Sequence, residues 1–170
     1  IEQTRMLIGA KKRLKKALMQ QLLTGKNRLP GFAKTKDRDN YRFFDLPTEW
    51  KCSRIREIAR DCSERNTQRD KLTVLSCSKH FGFVESSKYF GKQIFSADTS
   101  NYKIIRRGCF GYPSNHIEEG SIGLLLNHDI GMVSPIYTVF KCHENVVPEF
   151  LYALFKTDTY RHIFAISTNA

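Results

Sequence analysis

No part of this sequence of 170 residues approaches the roughly 20 consecutive apolar residues that a membrane-spanning helix needs, so no membrane partner is expected. Paired cysteines are missing as well. Cys52, Cys62, Cys77, Cys109 and Cys142 are odd in number, widely spaced and never in a Cys-x-x-Cys arrangement. That argues against a disulfide scaffold and against a zinc ribbon, and predicts reduced, partly buried, chemically idle thiols. Among the five histidines no His-Glu-x-x-His spacing occurs, and Gly91-Lys92 lacks the glycines of a phosphate loop before it. Acids are scarce at one end only. Up to Arg42 three of them (Glu2, Asp37, Asp39) face twelve Lys and Arg, whereas the remainder carries sixteen basic residues against fourteen acidic. A basic block of this kind suits a polyanion or an acidic partner, and it also fits a merely solvated helix face. No charged-then-apolar leader is visible and Ile1 falls inside a helical pattern, so the expectation is a cytoplasmic protein cut from a longer one.

What is present has a clear order. Residues 2–24 read as one helix: Leu7, Ala10, Leu14, Ala17, Leu18 and Leu22 recur at intervals of three and four. Lys11, Lys12, Arg13, Lys15 and Lys16 make the flanks of that stripe basic, and Gly25 suits a left-handed helix stop. At 1.5 Å per residue the helix is about 35 Å long, and its narrow stripe suits packing on another helix. A linker follows, after which short β-like runs take over: Leu72–Ser78, Lys103–Phe110, Ile122–Asn127 and Met132–Cys142. Pro148 reads as the first position of a helix, and Asp158 as the cap of a second running through Ile163. The predicted fold is α+β, with a twisted, mostly antiparallel sheet, peripheral helices and a long basic helix ahead of them. The expected division is 1–25 helix, 26–42 linker and 43–170 domain. The expected core is Trp50, Ile55, Ile58, Leu72, Val74, Ile104, Leu124, Val133, Val139 and Phe150.

Two stretches carry a resemblance. Lys12-Arg13-Leu14-Lys15-Lys16-Ala17-Leu18-Met19-Gln20-Gln21-Leu22-Leu23-Thr24-Gly25-Lys26, followed by Arg28-Leu29-Pro30-Gly31-Phe32, is similar to the end of the central conserved helix of Type I restriction-modification specificity subunits. Leu46-Pro47 with Trp50, then Tyr89-Phe90-Gly91-Lys92, Asp98–Lys103, Gly120-Ser121-Ile122-Gly123 and Val133–Phe140, resemble the second target-recognition domain of the same family. The resemblance implies two recognition domains held apart by antiparallel conserved helices, each reading one half of a split double-stranded DNA target. Adenine methyltransferase subunits supply S-adenosylmethionine chemistry, and a separate restriction motor subunit cuts. It also places the other recognition domain and the distal conserved helix outside these residues. Leu7, Leu14, Leu18 and Leu22 would then pack against a partner helix, and in its absence self-association through Leu14, Leu18 and Leu22 is expected. A related system that packages reading and methylation differently is the alternative within DNA recognition.

Reading a duplex requires cations for phosphates and planar or hydroxyl groups for base edges. Arginine pairs bidentately with guanine and asparagine with adenine, which makes Arg106, Arg107, Asn101 and Asn115 the candidate base readers. Lys79, Lys88 and Lys92 suit phosphates. Ser76, Ser78, Tyr102 and Tyr112 complete the set from the segments between predicted strands.

Catalytic readings are weaker. Ser76-Cys77-Ser78-Lys79 matches the Ser-x-x-Lys of acyl-enzyme hydrolases, but neither Ser-Asp-Asn nor Lys-Thr-Gly accompanies it. His116 with Glu118 and Glu119, or His128 with Asp129, could reach a metal, though surface turns contain such groups routinely. Asn-Pro-Pro-Tyr, Asp-Pro-Pro-Tyr and a glycine-rich cofactor loop are all missing, so the chain is expected to bind no S-adenosylmethionine, hold no cofactor and catalyse nothing itself.

Overall fold

The fold, taken from a computed structural model, is described for residues 1–32, 35, 37–41 and 44–168. Helix α1 (Glu2–Leu23) ends where the leucine pattern ends. Gly25 then takes φ +67°, and a Cβ there would lie 2.7 Å from the Pro47 ring, so both the left-handed turn and the close approach of the following chain call for glycine. Arg28 locks this corner. Its guanidinium stacks 5.2 Å over the Trp50 ring, pairs with Glu49 and donates to the Phe32 carbonyl at 2.7 Å.

Strand β1 (Arg38–Tyr41) pairs antiparallel with β2 (Phe44–Pro47), in the register Arg38↔Pro47 and Tyr41↔Phe44. Strand β1 therefore lies within the stretch expected to be a linker, and the expected boundary at 42–43 falls outside the described residues. A turn of helix α2 (Ile55–Ile58) leads into β3 (Ala59–Asp61), and a long loop leads to the hairpin of β4 (Leu75–Ser78) and β5 (Gly82–Glu85). After α3 (Ser86–Phe90) come β6 (Lys103–Arg106), β7 (Cys109–Pro113), β8 (Gly123–Leu124), β9 (Ile130–Val133) and β10 (Tyr137–Cys142), then α4 (Pro148–Phe155) and α5 (Asp158–Thr168).

The architecture is mixed α+β with antiparallel ladders, as expected, but the strands of the described residues form four small sheets instead of one. Their orders are β1-β2, β3-β10-β7-β8, β4-β5 and β6-β9. The division arises inside two runs that sequence alone reads as continuous. Lys103–Phe110 breaks at Arg107-Gly108, and Met132–Cys142 breaks at Ser134-Pro135, where proline has no N–H to give a ladder. Each run thus feeds two sheets: β6 and β9 pair with one another, while β7 and β10 pair in the four-stranded sheet.

Three apolar clusters fill the interior formed by the described residues. One lies between the four-stranded sheet and α4, with Phe110 stacked on Phe140 at 4.9 Å beside Leu124, Leu151 and Phe155. A second gathers Leu75, Phe83, Ile105, Leu125, Val133 and Val139, and a small third joins Val74, Tyr102 and Met132. Of the expected core, Val74, Ile104, Leu124, Val133 and Val139 are buried. Trp50, Ile58 and Leu72 are half-buried, and Ile55 and Phe150 are exposed. Phe150 sits on the outer face of α4, whereas Leu151 and Phe155, four apart, take the inner one.

Pro148 opens α4 as expected. The cap of α5 is Thr157, not Asp158: the Thr157 hydroxyl accepts from the Tyr160 N–H at 3.4 Å, and its carbonyl accepts from Arg161 N–H at 3.1 Å. Asp158 stands at the first helical position, where its negative charge suits the helix dipole. Among the described residues no helix is long and apolar enough to cross a membrane.

Helix α1 meets the domain by one face only. Lys16 pairs with Asp158 at 2.8 Å, and Gln20 bonds to the start of α5. The stripe leucines Leu14, Leu18 and Leu22 each stand two residues beyond Lys12, Lys16 and Gln20, which is about 200° around the helix axis. They face away from the domain and are 52%, 49% and 37% exposed, with Leu7 at 58%.

Candidate nucleic-acid interface

The fold gathers most of the expected DNA-contacting residues into three neighbourhoods. In the first, Arg106 at the end of β6 donates to both carboxylate oxygens of Glu64, at 3.1 and 3.3 Å. The next residue, Arg65, donates to the Asn101 carbonyl at 3.1 Å. Arg106 and Asn101 are thereby tied to one loop, both exposed.

Arg107 points elsewhere, as neighbours at a strand end do. It pairs with Asp129 at 2.8 Å and also donates to the Leu126 carbonyl. Next to Asp129, His128 approaches Glu85 at 3.6 Å, and Glu85 holds Lys88 at 2.7 Å. The hydrogen bond from Lys88, aided by His128, holds the Glu85 carboxyl below its usual range. Lys88 and Arg107, both exposed, thus stand at the two ends of a run of charged and polar side chains whose middle members, Glu85 and His128, are half-buried, with Lys92 exposed just beyond α3. Ion pairs of exposed cations contribute little to stability.

The third neighbourhood is the β4–β5 turn. Lys79 is exposed there, and Ser78 is buried beneath it, its hydroxyl accepting from the His80 and Phe81 N–H groups at 3.4 Å. Tyr102 is buried too, its hydroxyl accepting from the Ser96 N–H at 3.2 Å. Tyr112 is half-buried in β7, and Ser76 is half-buried in β4, where its hydroxyl shares a hydrogen bond with Ser86 at 2.7 Å. Asn115 is exposed in the turn after β7, apart from the other candidates.

Sequence reasoning passed over the loop between β3 and β4, because it is neither periodic nor glycine-rich. It supplies Arg65, Arg69 and Lys71. Arg69 adopts φ +58°, uncommon for a residue with a side chain. With Phe95, Asp98 and Thr99 from the loop after α3, Arg69 and Lys71 line an open groove of about 880 Å³. Hydrogen bonds from Ser100 hold the Asp98 carboxyl low. The clue in the sequence was Arg65-x-x-x-Arg69-Asp70-Lys71, three cations in seven residues immediately before the first predicted strand.

For the catalytic alternative, the Ser76 hydroxyl finds Ser86, while the bond formed at Lys79 is to its carbonyl, which accepts from the Lys156 ammonium at 3.5 Å. Burial pushes the neighbouring Cys77 thiol up to about 11, the reverse of what a nucleophile needs. All five cysteines are free. The ligand atoms of His116, Glu118 and Glu119 lie within 4.8 Å of one another on an exposed turn, an arrangement common without a metal. His128 turns to Glu85, and Asp129 is taken by Arg107.

No family model, curated protein or solved structure matches this chain.

Proposed function

We propose that this chain is the DNA-reading part of a Type I specificity subunit: the end of the central spacer helix and the second target-recognition domain. In this reading it recognises one half of a bipartite double-stranded target in the cytoplasm and scaffolds adenine methyltransferase subunits. The restriction motor joins through the complex. The chain itself is non-catalytic and carries no cofactor, methylation and cleavage being done by the partners.

The observation that carries the reading is α1. The segment from Lys12 to Lys26, with its Type I resemblance, runs as a helix to Leu23, and its Leu14, Leu18 and Leu22 turn away from their own domain. A spacer helix has to keep such a face for a second helix. Arg28 on Trp50 then joins the two stretches of resemblance at one corner.

Within the domain, Arg106, Arg107, Asn101 and Asn115 are proposed to read bases, and Lys79, Lys88 and Lys92 to hold phosphates. Being buried and satisfied, Ser78 and Tyr102 would act by shaping the loops.

The test is to join the chain to its missing recognition domain and distal helix, co-express the methyltransferase, and map methylated adenines in plasmid DNA. Methylation at a split site, with one half altered by Arg106→Gln, Arg107→Gln, Asn101→Ala and Asn115→Ala, is the expected result. Methylation that never depends on this chain would sink the proposal.

A further inference from the structure

The side of α1 opposite its leucines borders a cleft of about 660 Å³ against the β4–β5 turn and α4. Lys12, Lys15 and Lys16 line one wall, and Lys79, His80 and Lys156 the other. Asp158 is the only carboxylate among the described lining residues, and it is already engaged by Lys16 at 2.8 Å and Arg161 at 3.7 Å. Lys12, Lys15, Lys79 and Lys156 have no carboxylate partner among the described residues.

Lys156 is the most telling of them. It is drawn in over the Tyr152 ring at 5.3 Å, and its ammonium donates to the backbone carbonyls of Gly120 at 2.9 Å and Lys79 at 3.5 Å, both neutral. A half-buried cation normally has a counter-charge, because desolvation penalises the charged form. Burial does push this ammonium below its usual value. So the cleft gathers cations from three elements and leaves most of them without a counter-charge among the described residues.

The chemistry of the donors narrows the ligand. The lining cations are lysines, which act as point charges suited to phosphate without reading bases. The unpaired Lys12 and Lys15 stand about 4.5 Å apart along the helix axis. A duplex carries a phosphate about every 3.4 Å of axis on each strand, so each ammonium can meet its own phosphate.

We propose that this cleft is a phosphate-backbone site, gripping the sugar–phosphate edge of double-stranded DNA independently of sequence. The choice of DNA as the polyanion rests on the reading above; the uncompensated charge does not. The site would make α1 both spacer and clamp, its leucines serving a helix on one side and its lysines the duplex on the other.

The 170-residue chain carrying Lys12→Gln and Lys15→Gln, both exposed and without a carboxylate partner among the described residues, would be titrated with a random-sequence duplex at several salt concentrations. An equal-charge control would carry Lys51→Gln and Lys141→Gln. The expected result is weaker binding of every sequence, and a log K against log salt slope shallower by about 2 in the cleft variant alone. If the unaltered chain binds and the cleft variant matches it in slope and affinity, the clamp is overturned while the reading of sequence stands. Equal losses in both variants overturn it too, since the effect is then diffuse charge. No duplex binding by the unaltered chain also overturns it, and the methylation map then judges the reading of sequence separately.

Discussion

Gln20 of α1 closes the first turn of α5 at Asp158: its side-chain oxygen accepts from the Asp158 N–H at 3.1 Å, while its amide donates to the Thr159 hydroxyl at 2.5 Å. A helix start leaves its first N–H groups without partners, and here one of them is satisfied by a residue 138 positions away in sequence. The bond therefore does two things, ending α5 cleanly and fixing the direction of α1.

Replacing Gln20 with alanine should lower stability by about 1 kcal/mol, the usual cost of a lost cap. A urea unfolding midpoint measures it, and faster hydrogen exchange at the Asp158 amide locates it. Lys16→Ala removes only an exposed ion pair and should change the midpoint by well under that. Equal effects from both would mean that Gln20 adds nothing as a cap.

Gly131 should tolerate no side chain. A Cβ there would lie 2.6 Å from the Leu75 methyl and 3.1 Å from the Thr73 carbonyl, and Leu75 is fully buried. Gly131→Ala should cost about 1–3 kcal/mol by overpacking. Combined with Leu75→Ala, the two losses should sum to more than the double variant shows, because the smaller residue makes room. Strict additivity in urea melts would contradict this packing.

Alkaline pH should loosen the second core cluster. The Cys77 N–H donates to the Tyr137 hydroxyl at 2.9 Å, and burial raises both acids, the thiol from 9.0 to about 11 and the phenol from 10.0 to about 12. A raised folded value means that the folded state keeps its proton where the unfolded chain has lost it. Stability is then complete below about pH 9 and falls between pH 9 and 12. Urea midpoints at pH 8 and pH 10.5 should show the fall, and Cys77→Ala should flatten it. An unchanged slope in that variant would shift the cause to other groups.

The outward leucines should make the chain self-associate. Sedimentation across a range of concentrations should show reversible dimers, and Leu14→Glu with Leu18→Glu should abolish them without lowering the thermal midpoint, since neither side chain touches the domain core. A strictly monomeric chain at high concentration would refute the proposal that this face serves a second helix.

The sequence by itself was enough to place α1, with its leucine stripe and its Gly25 stop, because a period of 3.6 and a glycine that must turn left are written in local residue order. Pro148 marked α4 for the same reason, and mixed α+β followed from the order of periodic segments. Burial was legible only where alternation was strong, as at Val74, Val133 and Val139, and not at Ile55 or Phe150, whose neighbours on the helix decide which side faces in. Among the candidate contact residues, the residue type said what each side chain could bind, but not whether it was reachable. Tyr102 and Ser78 are polar and sit inside, Tyr102 because it packs with Val74 and Met132, and Ser78 because its own turn folds the His80 and Phe81 N–H groups onto it. Only the tertiary structure sent Arg106 to Glu64 and Arg107 to Asp129, split two long β runs among separate sheets, and brought Lys79 and Lys156 up to the lysine face of α1. Such pairings join residues far apart in sequence, and what selects them is the packing of Leu75, Phe83 and Phe110 in cores that no local pattern encodes.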